Sequence, residues 1–377
     1  MRALLLSAYD AGSHRYWRRG LQSLLPDWNW QCLSLPPRHF SWRVRGNPLH
    51  WALRERPVLE SAPDVLIATS MVDLATLRGL VPALTRVPTL LYFHENQFAY
   101  PEGRGRHGLL EAQMVSLYSA LAADRLAFNS AWNRDSFLDG VEALLGRLPD
   151  FAPPEAVTLL ARRSEVLPVP LLPAEETRCT LPVWEHEAPA DQRPLRLLWP
   201  GRLEYDKGGE GLEALLAELE QRQLDYELAI VGQTFRELPP PFRRIRERYG
   251  PRLVQFGWLE DTADYQGLLS RADIVLATAL HEFQGVAVME AVARGCLPVL
   301  PDRLAYPELY PREGLYPSHP EDPLREARAA ADKIVQATRG LRQGVLTAPP
   351  VDAFSLAALR PAYRRLLGEL AGGGESR

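Results

Sequence analysis

Residues 200–208 carry side chains suited to binding a phosphorylated ligand. The segment reads Pro-Gly-Arg-Leu-Glu-Tyr-Asp-Lys-Gly and places Arg202 and Lys207 close enough to converge on one anion. Arginine offers two parallel hydrogen bonds to a phosphate, and lysine adds a compact charge. Gly201 and Gly208 leave room for the backbone to approach the ligand. The Gly-x-x-x-x-Gly-Lys-Ser/Thr pattern of a phosphate loop does not occur here, and a solvated basic turn is the alternative interpretation.

A second stretch, residues 281–300, carries two glutamates on either side of a glycine-containing loop. Seven residues separate Glu282 from Glu290, and the surrounding pattern predicts a strand, a loop, a helix that ends at Gly295, and another strand. In parallel α/β sheets this unit presents a ligand site at the carboxyl end of its strand. Loop N–H groups at a helix N-terminus favour an anion, and a carboxylate accepts hydrogen bonds from sugar hydroxyls. The alternatives are a solvent-facing acid for Glu282 and a favourable helix-dipole position for Glu290.

A third group of polar side chains follows a predicted strand in the first half of the chain. The apolar run at residues 88–93 leads directly into His94, Glu95 and Asn96. Because ligands bind at the carboxyl ends of the strands in this type of sheet, these three side chains are candidate ligand contacts. A histidine held in the core by packing is the alternative for His94.

Arginine and tryptophan are concentrated near the N-terminus. Residues 1–60 contain nine arginines against four acidic residues and five of the nine tryptophans, whereas lysine occurs in the whole chain only as Lys207 and Lys333. Residues 36–56 are predicted to form a long connection with a short helix near its end. Arginines bind phosphates and aromatic rings stack on unpaired bases, so this segment suits RNA. In the alternative, the tryptophans pack into the core and the arginines are solvated.

The apolar pattern alternates between short strands and amphipathic helices in both halves of the chain. Such alternation predicts parallel, doubly wound sheets, and the length favours two domains. Prolines cluster and the periodicity disappears at residues 173–193, which we interpret as a linker. We therefore predict an N-terminal domain over 1–172, a second domain over 194–350, and a C-terminal helix with a frayed tail over 351–377. Pro361 predicts a kink or a late start in that helix.

The composition argues against several classes of protein. The cysteines, Cys32, Cys179 and Cys296, are far apart and have no paired-ligand spacing, which argues against a disulfide framework and a zinc site. No carboxylate cluster suggests a metal, and no apolar run approaches the ~20 residues needed to span a bilayer. The first apolar run meets Asp10 too early for a secretory signal. We expect a cytoplasmic protein that needs no metal or cofactor and does not bind a membrane.

The charged stretches of the second half together resemble the nucleotide-sugar site of the retaining family 4 glycosyltransferases. The resemblance rests on Gly-Arg…Lys-Gly at 201–208 followed by Glu282-x7-Glu290, and it covers most of the second predicted domain. It implies an α/β protein of the GT-B fold, in which two Rossmann-like, doubly wound parallel-sheet domains face an interdomain cleft. The substrate implied at this site is a nucleotide-sugar donor.

This resemblance also implies a role for each residue of the donor site. Arg202 and Lys207 hold the donor diphosphate. Glu290 binds the ribose, and Glu282 with the amides after it binds the transferred sugar. The turn at 256–259 lies where such enzymes hold the nucleotide base. The further donor contacts implied are Gly12, Gly201, Gly232, Trp258, Gln284, Gly285 and Val286.

The first half of the chain resembles a narrower group, the tRNA-queuosine alpha-mannosyltransferase family. The resemblance rests on Gly-Ser-His at 12–14, on Leu-Pro-Pro-Arg-His-Phe-Ser-Trp-Arg-Val-Arg-Gly at 35–46, on Tyr-Phe-His-Glu-Asn-Gln-Phe-Ala-Tyr-Pro at 92–101 and on Asn-Ser-x-Trp-Asn at 129–133. It implies a retaining hexosyltransferase that moves mannose from GDP-mannose to the queuosine base in the anticodon of tRNA-Asp. The partners would be a nucleotide-sugar donor and a tRNA acceptor.

The family likeness assigns roles in the first half as well. His94 would hydrogen-bond the donor sugar rather than act as a nucleophile, and it joins Arg202, Lys207 and Glu282 as the catalytic group. The family retains the anomeric configuration of the transferred sugar, and no side-chain nucleophile is assigned. This suggests front-face substitution, in which the leaving diphosphate takes the acceptor proton and the basic side chains stabilise its charge. The acceptor contacts implied are Ser13, His14, Arg38, Trp42, Arg43, Arg45, Glu95, Asn96 and Asn129.

Two other functions are compatible with the sequence. A family 4 enzyme with a lipid or polysaccharide acceptor would present a basic amphipathic surface helix to a membrane, whereas the basic residues here are interleaved with tryptophans in a predicted loop. A non-catalytic RNA-binding protein on a GT-B scaffold would not need the four charged residues of the donor site, all of which are present.

Overall fold

Strands and helices alternate in both halves of the protein. The computed structural model describes residues 1–99, 109–150, 152–173, 184, 189, 191–234 and 237–372. The chain divides into two units, Met1–Leu172 with Phe354–Arg377 and Pro173–Ala353. Most of the predicted linker lies outside the described residues, as do Cys179 and the last two residues of the motif at 92–101. Within the described ranges, no helix is long and apolar enough to cross a membrane.

Six parallel strands form the sheet of the first unit. Their bounds are β1 Arg2–Ser7, β2 Asn29–Ser34, β3 Val65–Thr69, β4 Thr89–Phe93, β5 Arg125–Phe128 and β6 Ser164–Val166. They lie in the order β2-β1-β3-β4-β5-β6. Every residue of β3 and β4 is buried, as expected for central strands covered by helices on both faces. The strand order reverses between β1 and β3, so the carboxyl ends of β1, β3 and the adjacent β4 form the expected ligand edge.

Helices cover both faces of this sheet. Within the N-terminal segment they are α1 Gly12–Leu24, α2 Phe40–Arg54, α3 Arg56–Leu59, α4 Leu74–Leu80, α5 Leu109–Ala122, α6 Ala131–Leu145 and α7 Glu155–Arg163. Trp17 of α1 and Trp51 of α2 are fully buried. For these two tryptophans the core interpretation of the N-terminal aromatic residues is therefore correct.

Helix α2 corrects the prediction of a long connection at residues 36–56. It has 15 residues and continues through Pro48. Proline lacks the N–H that would bond the carbonyl of Val44, which normally weakens a helix interior. The side-chain amide of Asn47 compensates, because its Nδ2 donates to Val44 O at 3.2 Å and to Arg43 O at 2.7 Å. The helix therefore continues through Pro48, and residues 40–54 are helical rather than part of a long connection.

The second unit has its own sheet of six parallel strands. Their bounds are β7 Leu195–Pro200, β8 Tyr226–Val231, β9 Leu253–Gly257, β10 Ile274–Leu276, β11 Leu297–Pro301 and β12 Leu315–Tyr316. They lie in the order β12-β11-β10-β7-β8-β9. The order reverses between β7 and β10, which are neighbours in the sheet although β8 and β9 lie between them in the chain. The loops after β7 and β10 therefore flank the switch point where such sheets bind ligands.

The helices of this unit include two, the last two, that were not predicted from the sequence pattern. They are α8 Gly209–Gln221, α9 Pro240–Arg248, α10 Thr262–Arg271, α11 Val286–Val292, α12 Tyr306–Leu309 and α13 Pro323–Arg342. Helix α13 packs on α8 and on β11. Its start is specified by Asp322, whose side chain accepts a hydrogen bond from Arg325 N, and by Pro323 in the first turn.

The C-terminal helix, α14, spans Leu356–Gly372 and belongs to the first unit. It begins five residues before Pro361, so the predicted late start is wrong. The helix packs on α1 and contacts β3 and β4. The last helix of the chain thus packs against the sheet of the first unit rather than that of the second.

Glycine at position 208 is required by the turn between β7 and α8. Gly208 has φ of 71°, and a Cβ there would lie 1.9 Å from Thr278 O. We expect Gly208→Ala to lower the free energy of unfolding by more than about 2 kcal/mol, because both the left-handed backbone and the collision are unfavourable. Urea denaturation measures the change.

Gly211, in the first turn of the same helix, is the matched control. A Cβ at Gly211 would be in ordinary contact with Thr278 Cβ at 3.6 Å. Gly211→Ala should raise the stability by about 0.5 kcal/mol, because alanine loses less backbone entropy in a helix. Equal effects of the two substitutions would contradict the requirement at Gly208.

Candidate active site

The loops after β7 and β10 are joined by hydrogen bonds at the switch point of the second sheet. The carbonyl of Asp206 accepts from Leu280 N at 2.9 Å and from His281 N at 3.1 Å. The hydroxyl of Thr278 accepts from the Trp199 indole at 3.1 Å and donates to the carbonyl of Lys207 at 3.1 Å. These bonds fix the two predicted donor stretches against each other.

Lys207 and Glu282 form an ion pair between these loops. Lys207 Nζ lies 2.9 Å from Glu282 Oε2 and donates to His281 O at 2.9 Å. Their side chains are only 13% and 24% exposed. Arg202 pairs with Asp206 at 2.9 Å on the open side of the turn. The structure therefore brings together the charged side chains of the two stretches. It adds Asp206, for which no role was predicted from the sequence.

The charge state of this site follows from burial and from Lys207. Burial would raise the pKa of Glu282, but the charge and hydrogen bond of Lys207 outweigh it and hold that pKa below its usual value. Burial and then the charge of Lys207 lower the pKa of His281 to about 3. At neutral pH the site thus contains an ionised Glu282 beside a neutral imidazole.

The glycines and Trp258 of the predicted donor site lie at the ends of β7, β8 and β9. A Cβ at Gly232 would lie 1.7 Å from Gly201 O, so the two loops can pass only because position 232 has no side chain. Gly232 N in turn donates to Gly257 O at 3.1 Å. Trp258 follows Gly257 and is 57% exposed. The aromatic ring is therefore available for contact with a planar group.

The loop and helix after β10 hold the other predicted donor contacts. Gly285 is in the left-handed region and immediately precedes Val286, the first residue of α11. Gln284 is buried, with Nε2 3.5 Å from Met289 Sδ. Glu290 of α11 accepts a hydrogen bond from Tyr265 Oη at 3.2 Å. Tyr265 is thus a further residue of this region that sequence reasoning missed.

In the first unit, His94 lies at the carboxyl end of β4 among aromatic rings. Its ring stacks on His14 at 4.2 Å, and the ring centroids of Trp17 and Tyr92 are each 4.8 Å away. Burial lowers the pKa of His14 to about 4 and, with the charge of His14 as a second cause, lowers the pKa of His94 well below its ordinary value. Both imidazoles are neutral at pH 7, so each has one donor and one acceptor nitrogen.

The predicted acceptor contacts Asn96 and Asn129 are engaged inside the protein. Asn96 Nδ2 donates to Asn133 and Ser136, and its Oδ1 accepts from the amides of Phe98 and Ala99. Asn129 Nδ2 donates to His94 O at 2.9 Å, and its Oδ1 accepts from Asn133 Nδ2 at 2.8 Å. These hydrogen bonds shape the turn after β4, and the acceptor contacts of Asn96 and Asn129 stay predictions.

The other predicted acceptor residues are distributed between the surface and the core. Trp42 is 57% exposed on α2. Arg45 of the same helix pairs with Asp73 and, at 3.3 Å, with Glu111. The remaining acceptor positions are exposed at Ser13 and Arg38, partly buried at Arg43 and Glu95, and buried at His14. Gly12, a predicted donor contact, is exposed.

No group of histidine, cysteine, aspartate and glutamate in the described ranges is arranged to hold a metal ion. The positive charge beside a bound anion in the second unit would come from Arg202, Lys207 and the N-terminus of α8, which begins at Gly209. A phosphorylated ligand is the chemistry that this arrangement fits.

Comparisons with known proteins agree with this geometry. Residues 194–338 match the family described as glycosyl transferases group 1. Among solved structures, a trehalose-6-phosphate protein of E. coli bound with UDP-2-fluoro glucose covers 98% of this chain and 99% of its own, with a TM-score of 0.65 at 16% identity. HepE of Anabaena with UDP and glucose covers the same shares, with a TM-score of 0.67 at 14% identity. The fold is GT-B, and the protein is a glycosyltransferase.

The first half of the chain matches a family that is narrower than the GT-B glycosyltransferases. Residues 2–171 match the family model described as tRNA-queuosine alpha-mannosyltransferase N-terminal. A tRNA-queuosine alpha-mannosyltransferase of Drosophila melanogaster is 36% identical over 314 residues, which span 83% of this chain and 82% of that relative. The chain belongs to the tRNA-queuosine alpha-mannosyltransferase family and is a hexosyltransferase.

Acid should destabilise the first unit through its buried histidines. Because the folded-state pKa of His14 is about 4, the folded protein excludes a proton that the unfolded chain binds below its ordinary pKa of 6.5. Stability should therefore fall as the pH drops through 6.5 toward 4, by about 2 kcal/mol at pH 5 from His14 alone. Urea denaturation at pH 7 and pH 5 measures this loss.

His14→Phe keeps a ring in the stack and removes the proton uptake. The stability that this variant loses between pH 7 and pH 5 should therefore be about 2 kcal/mol smaller than the loss in the wild type. His50→Gln, at an exposed position of α2, is the control. A His14→Phe variant that loses as much stability as the wild type would refute this origin of the acid sensitivity.

Proposed function

We propose that the protein transfers mannose from GDP-mannose to the queuosine base in the anticodon of tRNA-Asp, with retention of configuration. The observation that carries this proposal is the Lys207–Glu282 ion pair at the switch point of the second sheet, in a chain whose first 171 residues match the queuosine family. The relative from Drosophila is named a tRNA-queuosine alpha-mannosyltransferase. A tRNA acceptor also supports a cytoplasmic location.

In the proposed reaction, the basic side chains of the second unit bind and stabilise the leaving diphosphate. Arg202 offers a two-pronged contact, and Lys207 adds a point charge close to the reacting sugar. Bond cleavage at the sugar increases the negative charge on the diphosphate, so these contacts strengthen toward the transition state. Because side chains supply this charge, the reaction is proposed to need neither a metal ion nor a cofactor.

The two carboxylates of the donor site take different roles in the proposal. Glu282, kept ionised by Lys207, accepts hydrogen bonds from hydroxyls of the transferred sugar. Glu290, oriented by Tyr265, accepts from the ribose. His94 is proposed to hydrogen-bond the transferred sugar through a neutral ring nitrogen. The leaving diphosphate then takes the acceptor proton, since a front-face reaction needs no side-chain nucleophile.

One observation favours a second candidate, a lipid acceptor. The segment expected to be a loop is helix α2, and its outer face exposes Trp42, Leu49 and Leu53 beside arginines. A basic helix with an apolar exposed face is what membrane binding requires. The match of this same segment to the queuosine family supports the tRNA acceptor instead, and RNA bases also stack on exposed tryptophan.

The function is tested by incubating the protein with GDP-mannose and queuosine-containing tRNA-Asp, followed by mass analysis of the nucleosides. We expect a gain of one hexose on queuosine, also in the presence of a chelator. Lys207→Ala should abolish turnover and leave tRNA binding nearly unchanged. Lys333→Ala replaces the other lysine of the chain and should be fully active.

Transfer to a lipid extract and none to queuosine would establish the second candidate. Failure of GDP-mannose to bind in calorimetry would point to an RNA-binding protein without catalysis. Wild-type turnover by Lys207→Ala would show that the diphosphate assignment is wrong, whatever the acceptor.

The acceptor surface is tested by separating charge from stacking. Arg38→Ala should weaken tRNA binding and reduce the slope of log K against log salt by about one, as for a lost phosphate contact. Trp42→Ala should cost about 1–3 kcal/mol of binding at an unchanged salt slope, as for a lost stacking contact. Filter binding between low and moderate salt measures both.

Arg312→Ala, at an exposed position of the second unit, serves as the charge control. Co-sedimentation of the wild type with anionic vesicles, lost on Leu53→Glu, would instead assign the α2 face to a membrane. Normal tRNA binding by both the Arg38 and the Trp42 variants would exclude this face as the acceptor surface.

A further inference from the structure

Tyr363 of α14 makes its hydrogen bonds at the back of the His94 cluster. The side chain is completely buried. Its hydroxyl accepts from Trp17 Nε1 at 3.0 Å and donates to Pro168 O at 2.9 Å. The same oxygen lies 3.4 Å from Tyr92 Oη, whose own proton is donated to Leu167 O at 2.7 Å. One phenol of the C-terminal helix therefore holds the indole of α1 beside the phenol of β4.

The rings held in this way form the wall against which His94 packs. Trp17 stacks on Tyr92 at 4.2 Å and meets His94 edge-on at 4.8 Å. On another side His94 stacks on His14 at 4.2 Å. Ring packing thus encloses the imidazole from several directions.

Packing, rather than hydrogen bonding, fixes the orientation of the His94 ring. His94 Nε2 is buried, and no group among the described residues forms a hydrogen bond with it. Most oriented imidazoles in active sites have a carboxylate or carbonyl bonded to one ring nitrogen. Here the fixed main-chain contact is Asn129 Nδ2 to His94 O, which holds the backbone and leaves the ring angle to its aromatic neighbours.

We infer that Tyr363 is a positioning residue for His94, acting through the indole of Trp17. The inference rests on the proposed contact of His94 with the transferred sugar. The Tyr363 hydroxyl fixes the indole N–H, the fixed indole sets the tilt of the His94 ring, and both ring nitrogens thereby keep their directions. Helix α14, which lies 346 residues along the chain from Trp17 at this contact, becomes part of the machinery that orients the site.

Tyr363→Phe tests this inference, because it removes the hydroxyl and keeps the ring. The variant leaves Trp17 Nε1 without its buried acceptor, so the indole is expected to tilt away from Tyr92. We expect kcat to fall on the order of tenfold, as for a small misplacement of a reacting group. The KM for GDP-mannose should change less than about twofold, because the diphosphate contacts lie in the second unit.

A mutant cycle separates positioning from general damage. In a His94→Ala background, Tyr363→Phe should lower the residual kcat by less than about twofold, since its effect passes through the imidazole. Arg364→Ala is the matched control on the same helix, because Arg364 makes an exposed ion pair with Asp27 at 2.8 Å. This control should keep the wild-type kcat, as exposed pairs contribute little.

A second readout does not depend on turnover. The imidazole resonances of His94 in a nitrogen–proton NMR spectrum should shift in Tyr363→Phe and stay in place in Arg364→Ala. If Tyr363→Phe does not fold, Trp17→Phe provides the same test, because it keeps a ring at position 17 and removes the indole N–H.

The outcomes distinguish this inference from the proposed function. An inactive wild type would refute the mannosyl transfer, and the NMR shifts would still test the link between Tyr363 and His94. An active wild type with unchanged kcat and unchanged resonances in Tyr363→Phe would overturn the inference alone. Equal effects of Tyr363→Phe with and without His94 would also overturn it, since a positioning residue acts only through the group that it positions.

Discussion

The Lys207–Glu282 ion pair depends on the adjacency of two strands that are distant in the chain. The residues are 75 positions apart, and they meet because β7 and β10 are neighbours at the point where the strand order reverses. Glycines at 208 and 232 allow the connecting loops to approach at backbone distance. Removing one partner of such a largely buried pair leaves a charge without compensation. The loops, the glycines and the charge state of Glu282 therefore form one interdependent arrangement.

The first unit orders its site by the opposite means. Its histidines are neutral and packed among rings, and its asparagines bond to one another and to the backbone of the turn after β4. Directional control thus comes from close packing and hydrogen-bonded amides rather than from ion pairs. Close packing of this kind transmits small displacements, since protein interiors have few voids. This is why a hydroxyl on α14 can be coupled to an imidazole at the end of β4.

The secondary structure was predicted most accurately from the sequence where a single local pattern determines it. The apolar run after residue 273 is a strand, a glycine-initiated helix follows it, and the next run at 297–301 is a strand again. The prediction failed where a side-chain hydrogen bond outweighed the local pattern. Residues 36–56 were predicted to be a long connection, yet Asn47 satisfies the carbonyl that Pro48 leaves open, and helix α2 spans Phe40–Arg54. Asn96 stays a predicted acceptor contact, and its carboxamide also holds the turn after β4.

The sequence by itself determined the alternating fold and the charged residues of the candidate site, because strand-end loops and helix periodicity are local properties of the chain. The family followed from the resemblance of its motifs to those of a known family. Only the tertiary structure decided which side chains are exposed and which partners they have. It buried Trp17 and Trp51 while it exposed Trp42 on α2, and it joined Tyr363 to Trp17 across nearly the whole chain. The physical reason is that burial and hydrogen-bond partners depend on the elements that pack together, and this packing is set by sheet order rather than by neighbouring residues.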